Sequence, residues 1–361
     1  MPQFVNSAID WIVLLAVLVV LVVIHEFGHF LVARRAGVKV HEFGIGFPPR
    51  ALILRRGKET LYTLNWLPIG GFVRLEGEEG ESADPRAFVN KPLGTRVVIL
   101  LAGVVMNLLL AGLLMSAIAF IGDPSTVVHI EDLPVPSDGS QSPAQAAGLA
   151  VGDAIVSIDG SRNAWFDGPD AQLTALRTQA GQTIQLGVVH ADGSQAVIPV
   201  TLNDQAAIDA GRGALGIRFS LSAGTPIAHD PLTALGVGVR RTAEACTLIL
   251  GAVRDLVADL AHPQVSGPIG IVSAVGTVRA EPPVFLIYLL ALLSANLAVV
   301  NALPLPPLDG GRVAVALIKR VVGARFSVSA ERAAYFVGFV LLMTFLVYIS
   351  VFDIARGATA S

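Results

Sequence analysis

Cysteine is nearly absent: Cys246 is the one thiol in 361 residues, so neither an intrachain disulfide nor a cysteine cage for zinc can form. Charge is scarce too. Asp, Glu, Lys and Arg make up 15% of the chain, the formal net charge is -3 and the isoelectric point is near 6.2. That balance gives no basic surface for nucleic acid and sets such a partner aside. No basic residue precedes Trp11, so the first apolar run lacks the charged start of a signal peptide and is also too long for one. What is abundant is hydrocarbon. With 53% hydrophobic residues and a mean hydropathy of +0.66, the chain reads as a polytopic membrane protein.

Four runs have the ~20 residues that a bilayer core requires: Trp11 to Ala33, Val97 to Ile121, Val284 to Leu303 and Ala333 to Phe352. Between the second and third lies a more polar insert, roughly Asp123 to Leu221, with short strand-like runs and Gly and Pro punctuation, which predicts a folded extramembrane domain. From Pro231 to His262, Leu235, Val239, Thr242, Cys246, Ile249, Val253, Leu256 and Leu260 recur at helical spacing. Arg240, Arg241, Glu244, Arg254, Asp255 and Asp259 fall on the other face, which predicts a helix lying on a membrane or protein surface. The loop after the first span is rich in Lys and Arg, from Arg34 to Arg96. The positive-inside rule makes that loop cytoplasmic, the large insert outward-facing, the Arg312 to Arg332 loop cytoplasmic and the C-terminus external.

Inside the first span stands HEFGH, with His25 and His29 four residues apart on one helix face and Glu26 beside His25. Ionisable groups at that depth are costly and mark function. HExxH supplies two imidazoles to zinc and a carboxylate to the water that zinc activates. Residues 41 to 44 repeat HEFG, but Ile45 replaces the second histidine, so His41 is read as inert. A catalytic zinc needs a third protein ligand and an open position. Asp309 is the candidate: it lies in NALPLPPLDGG, where Pro304, Pro306 and Pro307 break the helix, and freed backbone at membrane depth is tolerated only when buried or lining a cavity. His25 and Asp309 both follow their outer span ends by similar lengths of chain, which predicts a common depth toward the cytoplasmic side.

HEFGH in the first span, NALPLPPLDGG near the end of the third, and SPAQAAGLAVGDAIVSIDG in the insert together resemble the site-2 protease family of intramembrane zinc metalloproteases. The likeness is to the bacterial branch with a PDZ insertion, of the regulator-of-sigma-E protease type. The resemblance covers nearly the whole chain. It implies one Zn2+ per chain on His25, His29 and Asp309, Glu26 as catalytic acid/base, and Asn301 as a substrate-holding residue. Pro68 to Glu78, including Gly70, Gly71 and Phe72, resembles the family's membrane-dipping hairpin, which would engage substrate as an added strand. Gly103 and Asn107 in AGVVMN resemble a second-span motif, and SGPIG, residues 266 to 270, also matches; a close helix-packing face with a buried hydrogen bond is the commoner use of such residues in spans, and Gly103 and Asn107 stay outside the site. The outer region of about one hundred residues suits a single PDZ domain and not a tandem pair.

The implied fold is a polytopic α-helical membrane protein with four transmembrane helices, a membrane-associated β-hairpin and one inserted PDZ-like α+β domain. Its parts are 1–36, the first span with HExxH; 37–96, a cytoplasmic, membrane-dipping β region; 97–122, the second span; and 123–222, the extracytoplasmic PDZ domain. There follow 223–281, the surface helix and linker; 282–311, the third span with LDG; 312–332, a cytoplasmic loop; and 333–361, the fourth span and tail. The implied activity is hydrolysis of peptide bonds within the transmembrane segments of single-span substrates, such as anti-sigma factors or signal-peptide remnants. The setting is regulated proteolysis in signal transduction at a bacterial inner or plasma membrane. Two other classes are weighed. A metal transporter needs a conduction path, and spans two and four carry nothing acidic or histidine-rich. A non-catalytic PDZ scaffold does not need Glu26.

Overall fold

The computed structural model describes residues 3–78, 80, 82–135, 139–260, 263, 265–322 and 328–359. In chain order the elements are α1 (Gln3–Arg35), β1 (Val40–Arg56), β2 (Leu61–Leu75), α2 (Leu93–Ile121), β3 (Asp123–Asp132), α3 (Pro143–Ala146), β4 (Ala154–Ile158) and α4 (Ala171–Ala175). β5 (Thr183–Val189), β6 (Gln195–Thr201), α5 (Gln205–Asp209), β7 (Arg218–Ile227), α6 (Pro231–Ala258), α7 (Pro268–Arg279), α8 (Pro283–Ala302), α9 (Asp309–Val322) and α10 (Val328–Thr359) follow. They form two compact units, one of residues 1–116 with 235–361, the other Ala117–Ala234.

In the first unit, helices long and apolar enough to cross a membrane are Ala8–Arg35, Leu93–Ile121, Pro283–Ala302 and Ser329–Arg356. A helix keeps every backbone polar group paired within itself, which is why such apolar runs adopt it in lipid. Small residues set the packing: Gly28 of α1 leaves no room for a Cβ beside the Ala102 carbonyl of α2, and Ala111, Ala291 and Ala295 are fully buried between α2 and α8. Close approach of backbones through Gly and Ala is the usual basis of helix association in lipid.

α6 follows the face assigned by its periodicity only in part, with Cys246 and Ile249 packed against the core. Thr242 and Ala245 are buried, but so is Arg241, whereas Leu235 and Val239 are more than half exposed. The cause is a small-residue contact: a Cβ at Gly238 would collide with Ser116 and the Gly112 carbonyl of α2, so the helix seats its narrow side, not its bulky one. The 223–281 linker also contains α7, whose start is the SGPIG stretch. The Asp353 carboxylate of α10 accepts from the Gly267 and Gly270 N–H groups at 3.2 and 2.9 Å, and Arg279 at the other end donates to Asp10 of α1 at 2.8 Å.

The 37–96 region is a doubled sheet. Residues 42–45 of β1 pair with 71–74 of β2 on one side and with 61–64 on the other, and 61–64 pair again with 52–56. Residues 71–74 are therefore an edge strand, which corrects the reading of 68–78 as a hairpin; the exposed apolar side chains Leu52, Leu54, Trp66 and Leu67 lie on the other strands. The stretch 312–332, expected to be a loop, is helical through Val322 as α9, because Gly311 and Val315, four residues apart, turn inward on one face beside Ala316; residues 323–327 lie outside the described residues.

The second unit is an antiparallel five-stranded sheet in the order β6-β5-β4-β3-β7. Val128, Ile130, Ile155, Leu186, Val188 and Val200 form its core, and α3 is closed by a capping box between Ser142 and Gln145. β7 pairs with the whole of β3 as far as Ile227, so the sheet passes the expected boundary at 222.

Candidate active site

His25 and His29 are one turn apart on α1 and both are buried. Their Nε2 atoms face each other at 3.2 Å. Asp309 arrives from the far end of the chain: α8 stops at Ala302, Leu303 is extended, and α9 begins at Asp309. Gly310 and Gly311 make that return possible, since a Cβ on either would lie within 2.5 Å of the 302–306 backbone. A carboxylate at the first position of a helix is also favoured by the helix dipole. Its Oδ2 ends 2.9 Å from Nε2 of His25 and 3.2 Å from Nε2 of His29. Among the described residues this is the one group of three His, Cys, Asp or Glu side chains whose ligand atoms converge.

The donor set fits zinc. A tetrahedral site with bonds of about 2.0–2.1 Å has ligand-to-ligand edges of roughly 3.3 Å, and the three observed edges are 2.9, 3.2 and 3.2 Å. Two imidazole nitrogens and one carboxylate oxygen, with no cysteine, form a common catalytic set that leaves a fourth position open. Nδ1 of His29 donates to the Ile99 carbonyl at 2.8 Å, which puts the proton on Nδ1 and leaves a lone pair on Nε2.

α2 contributes what sequence reasoning left outside the site. A Cβ at Gly103 would lie 2.5 Å from Nε2 of His29 and 2.6 Å from Nε2 of His25, so glycine is what lets both rings occupy their places. One turn on, the Asn107 carboxamide sits 3.3 Å from Nδ1 of His25, fully buried. The signal was a glycine and an amide four apart in an apolar span, a pattern more commonly used for packing.

Glu26 is half-buried on α1. The edge strand lies against it: a Cβ at Gly71 would sit 3.6 Å from Cγ of Glu26. Gly70, with φ of 79°, packs on the Phe47 ring, and the Phe72 ring covers Gly44. A groove lined by Phe72, Arg74, Glu76, Glu78 and Arg312 follows this strand, and Arg312 of α9 donates to Glu78 beyond its end. Asn301, in the last turn of α8, is half-buried and makes no side-chain hydrogen bond among the described residues. The second HEFG is structural. His41 pairs with Glu76 at 2.6 Å, and buried Glu42 accepts from Arg50 and Thr63, each at 2.9 Å. The Ser82 hydroxyl, and then His41, hold the Glu76 carboxyl below its usual range.

A buried histidine–histidine–aspartate cluster, with both histidines in the first span and the aspartate at the start of α9, defines the class, a membrane metallohydrolase. The chain belongs to peptidase family M50, the site-2 protease family, whose model matches residues 13–345. It is similar to a protein of Clostridium acetobutylicum named for a zinc metalloprotease, at 32% identity over 93% of this chain and 94% of that one. A protein of Nostoc with a similar name is 33% identical over 91% of each chain. The regulator of sigma-W protease RasP of Bacillus subtilis is 27% identical over 98% of this chain and 99% of its own. The chain is accordingly a zinc metalloprotease and a multi-pass membrane protein, as its motifs implied.

Proposed function

We propose that this protease cuts peptide bonds within transmembrane segments of single-span proteins, with one zinc on His25, His29 and Asp309 and with Glu26 as general base and acid. The observation that carries this reading is the convergence of those three ligand atoms at 2.9 to 3.2 Å, two of them inside the first apolar span. Zinc, when bound there, supplies Lewis acidity that acidifies a water and polarises a carbonyl. Glu26 takes the proton of the attacking water and delivers it to the leaving amide nitrogen. A helical substrate hides its carbonyls in its own hydrogen bonds and must open first. The free edge of residues 71–74 offers partners to the opened backbone, with Gly70, Gly71 and Phe72 as the contact residues and Gly71 beside Glu26. Asn301, in the last turn of α8, is kept as a substrate contact on the family resemblance.

The Lys and Arg bias of the first loop supports a cytoplasm-facing active site and an external sheet unit. The motif SPAQAAGLAVGDAIVSIDG forms α3 and β4 of that unit, which supports a single PDZ domain that binds or excludes the outer part of a substrate. RasP is named as a regulator of sigma-W protease, in keeping with anti-sigma factors as substrates here; signal-peptide remnants are the second candidate class, in a bacterial plasma membrane. The test is incubation of the purified protein with a panel of single-span substrates, with and without a zinc chelator. Chelator-sensitive cuts inside the spans support the reading; cuts confined to extramembrane segments overturn it.

A further inference from the structure

Ligation through Nε2 requires a histidine to carry its proton on Nδ1, and a buried Nδ1–H needs an acceptor. For His29 that acceptor is the Ile99 carbonyl. For His25 the atom facing Nδ1 is Nδ2 of the Asn107 carboxamide, 3.3 Å away, while its Oδ1 is buried with no hydrogen-bond partner. The two ends of a carboxamide exchange by a half-turn about its last bond. With Nδ2 toward the ring, Asn107 donates to Nδ1 and the ring proton must stand on Nε2, where it faces Asp309. With Oδ1 toward the ring, Asn107 accepts from Nδ1–H and Nε2 keeps its lone pair for metal.

We infer that Asn107 is a positioning residue of the zinc site, its Oδ1 accepting from Nδ1–H of His25 and so selecting the ring form that binds metal. This rests on the ligand reading above. Three features hold Asn107 in place: its backbone carbonyl accepts from the Ser294 hydroxyl of α8 at 2.8 Å, Ser294 is itself fully buried, and Gly103 one turn earlier lets α2 approach both rings. α2 and α8 thus fix the orientation of a ligand that α1 carries. Such outer partners of metal-bound histidines tune affinity by about 10–100-fold.

The experiment measures zinc affinity of the purified full-length protein by competition against a graded series of chelators, for wild type, Asn107→Leu, Asn107→Asp and His25→Ala. Asn107→Leu keeps shape but no acceptor and is expected to bind zinc ~10–100-fold more weakly; Asn107→Asp, with an acceptor in the same position, is expected to match or exceed wild type. Wild-type affinity in Asn107→Leu, or equal losses in Leu and Asp, would overturn the inference. Zinc retained by His25→Ala would instead remove the ligand reading beneath it. A second measurement needs no variant to fold: with isotope-labelled histidine, the zinc-loaded wild type should show His25 protonated at Nδ1. A His25 protonated at Nε2 in that state sinks the proposal.

Discussion

Nε2 of His25 lies 2.9 Å from Oδ2 of Asp309, although one belongs to the first span and the other opens a helix beyond the third. An imidazole and a carboxylate that close, both largely removed from water, are either a hydrogen-bonded pair or two ligands of one cation. The second histidine, 3.2 Å from the same oxygen, favours the cation. The first prediction follows: purified protein carries near-stoichiometric zinc by elemental analysis, and both His25→Ala and Asp309→Ala lose it. Full occupancy after both changes removes this ligand set.

The repeat of HEFG at 41 to 44 provides an internal control. His41 is tied to Glu76, not to a partner imidazole, and Ile45 stands where the second histidine would be. His41→Ala is expected to keep zinc and most of its proteolysis of a single-span substrate. Loss of metal in that variant would show that His41 belongs to the site after all.

Gly103 is predicted to be intolerant of even one methyl group. Its added Cβ would overlap both imidazoles, at 2.5 and 2.6 Å, and displacement of a catalytic group by about 1 Å costs on the order of 10²-fold in rate. Turnover of Gly103→Ala should fall by about that factor, with weaker zinc retention. Gly94→Ala on the same helix, where nothing lies within 4 Å, serves as the comparison and should behave as wild type. Equal activity in the two variants would refute the crowding argument.

How legible this site was depended on contrast. His25, Glu26 and His29 stand out because polar groups in an apolar span need a reason, and Asp309 because three prolines break the helix before it. Gly103 and Asn107 do not stand out, since a glycine and an amide in a span have an adequate explanation in packing, and only the fold reveals which rings they touch. The four spans were readable from hydropathy alone. The edge strand at 71–74 was not, because its identity depends on β1 pairing twice, a long-range choice with no local signature. Arg241 was assigned to the solvent by its charge, yet the close contact at Gly238 rotates it inward. Asn301 rested on resemblance, and it makes no side-chain hydrogen bond among the described residues.

The last prediction concerns Glu26, which neighbours the cluster without belonging to it. Its place beside the edge strand, with Gly71 against its side chain, suits a group that handles protons between water and an extended substrate. Glu26→Gln preserves size and polarity but cannot take a proton. Cleavage should therefore fall by ~10²–10⁴, the range for loss of a general base, while zinc content stays at the wild-type level because His25, His29 and Asp309 are untouched. The readout is a tagged single-span substrate followed by gel in membranes holding either form, with metal measured on the same preparations. Uncut substrate that copurifies with the zinc-loaded variant would mark a binding-competent enzyme stalled at proton transfer. Undiminished cleavage by that variant would take Glu26 out of the mechanism and return the search for the base to the groove along residues 72 to 78.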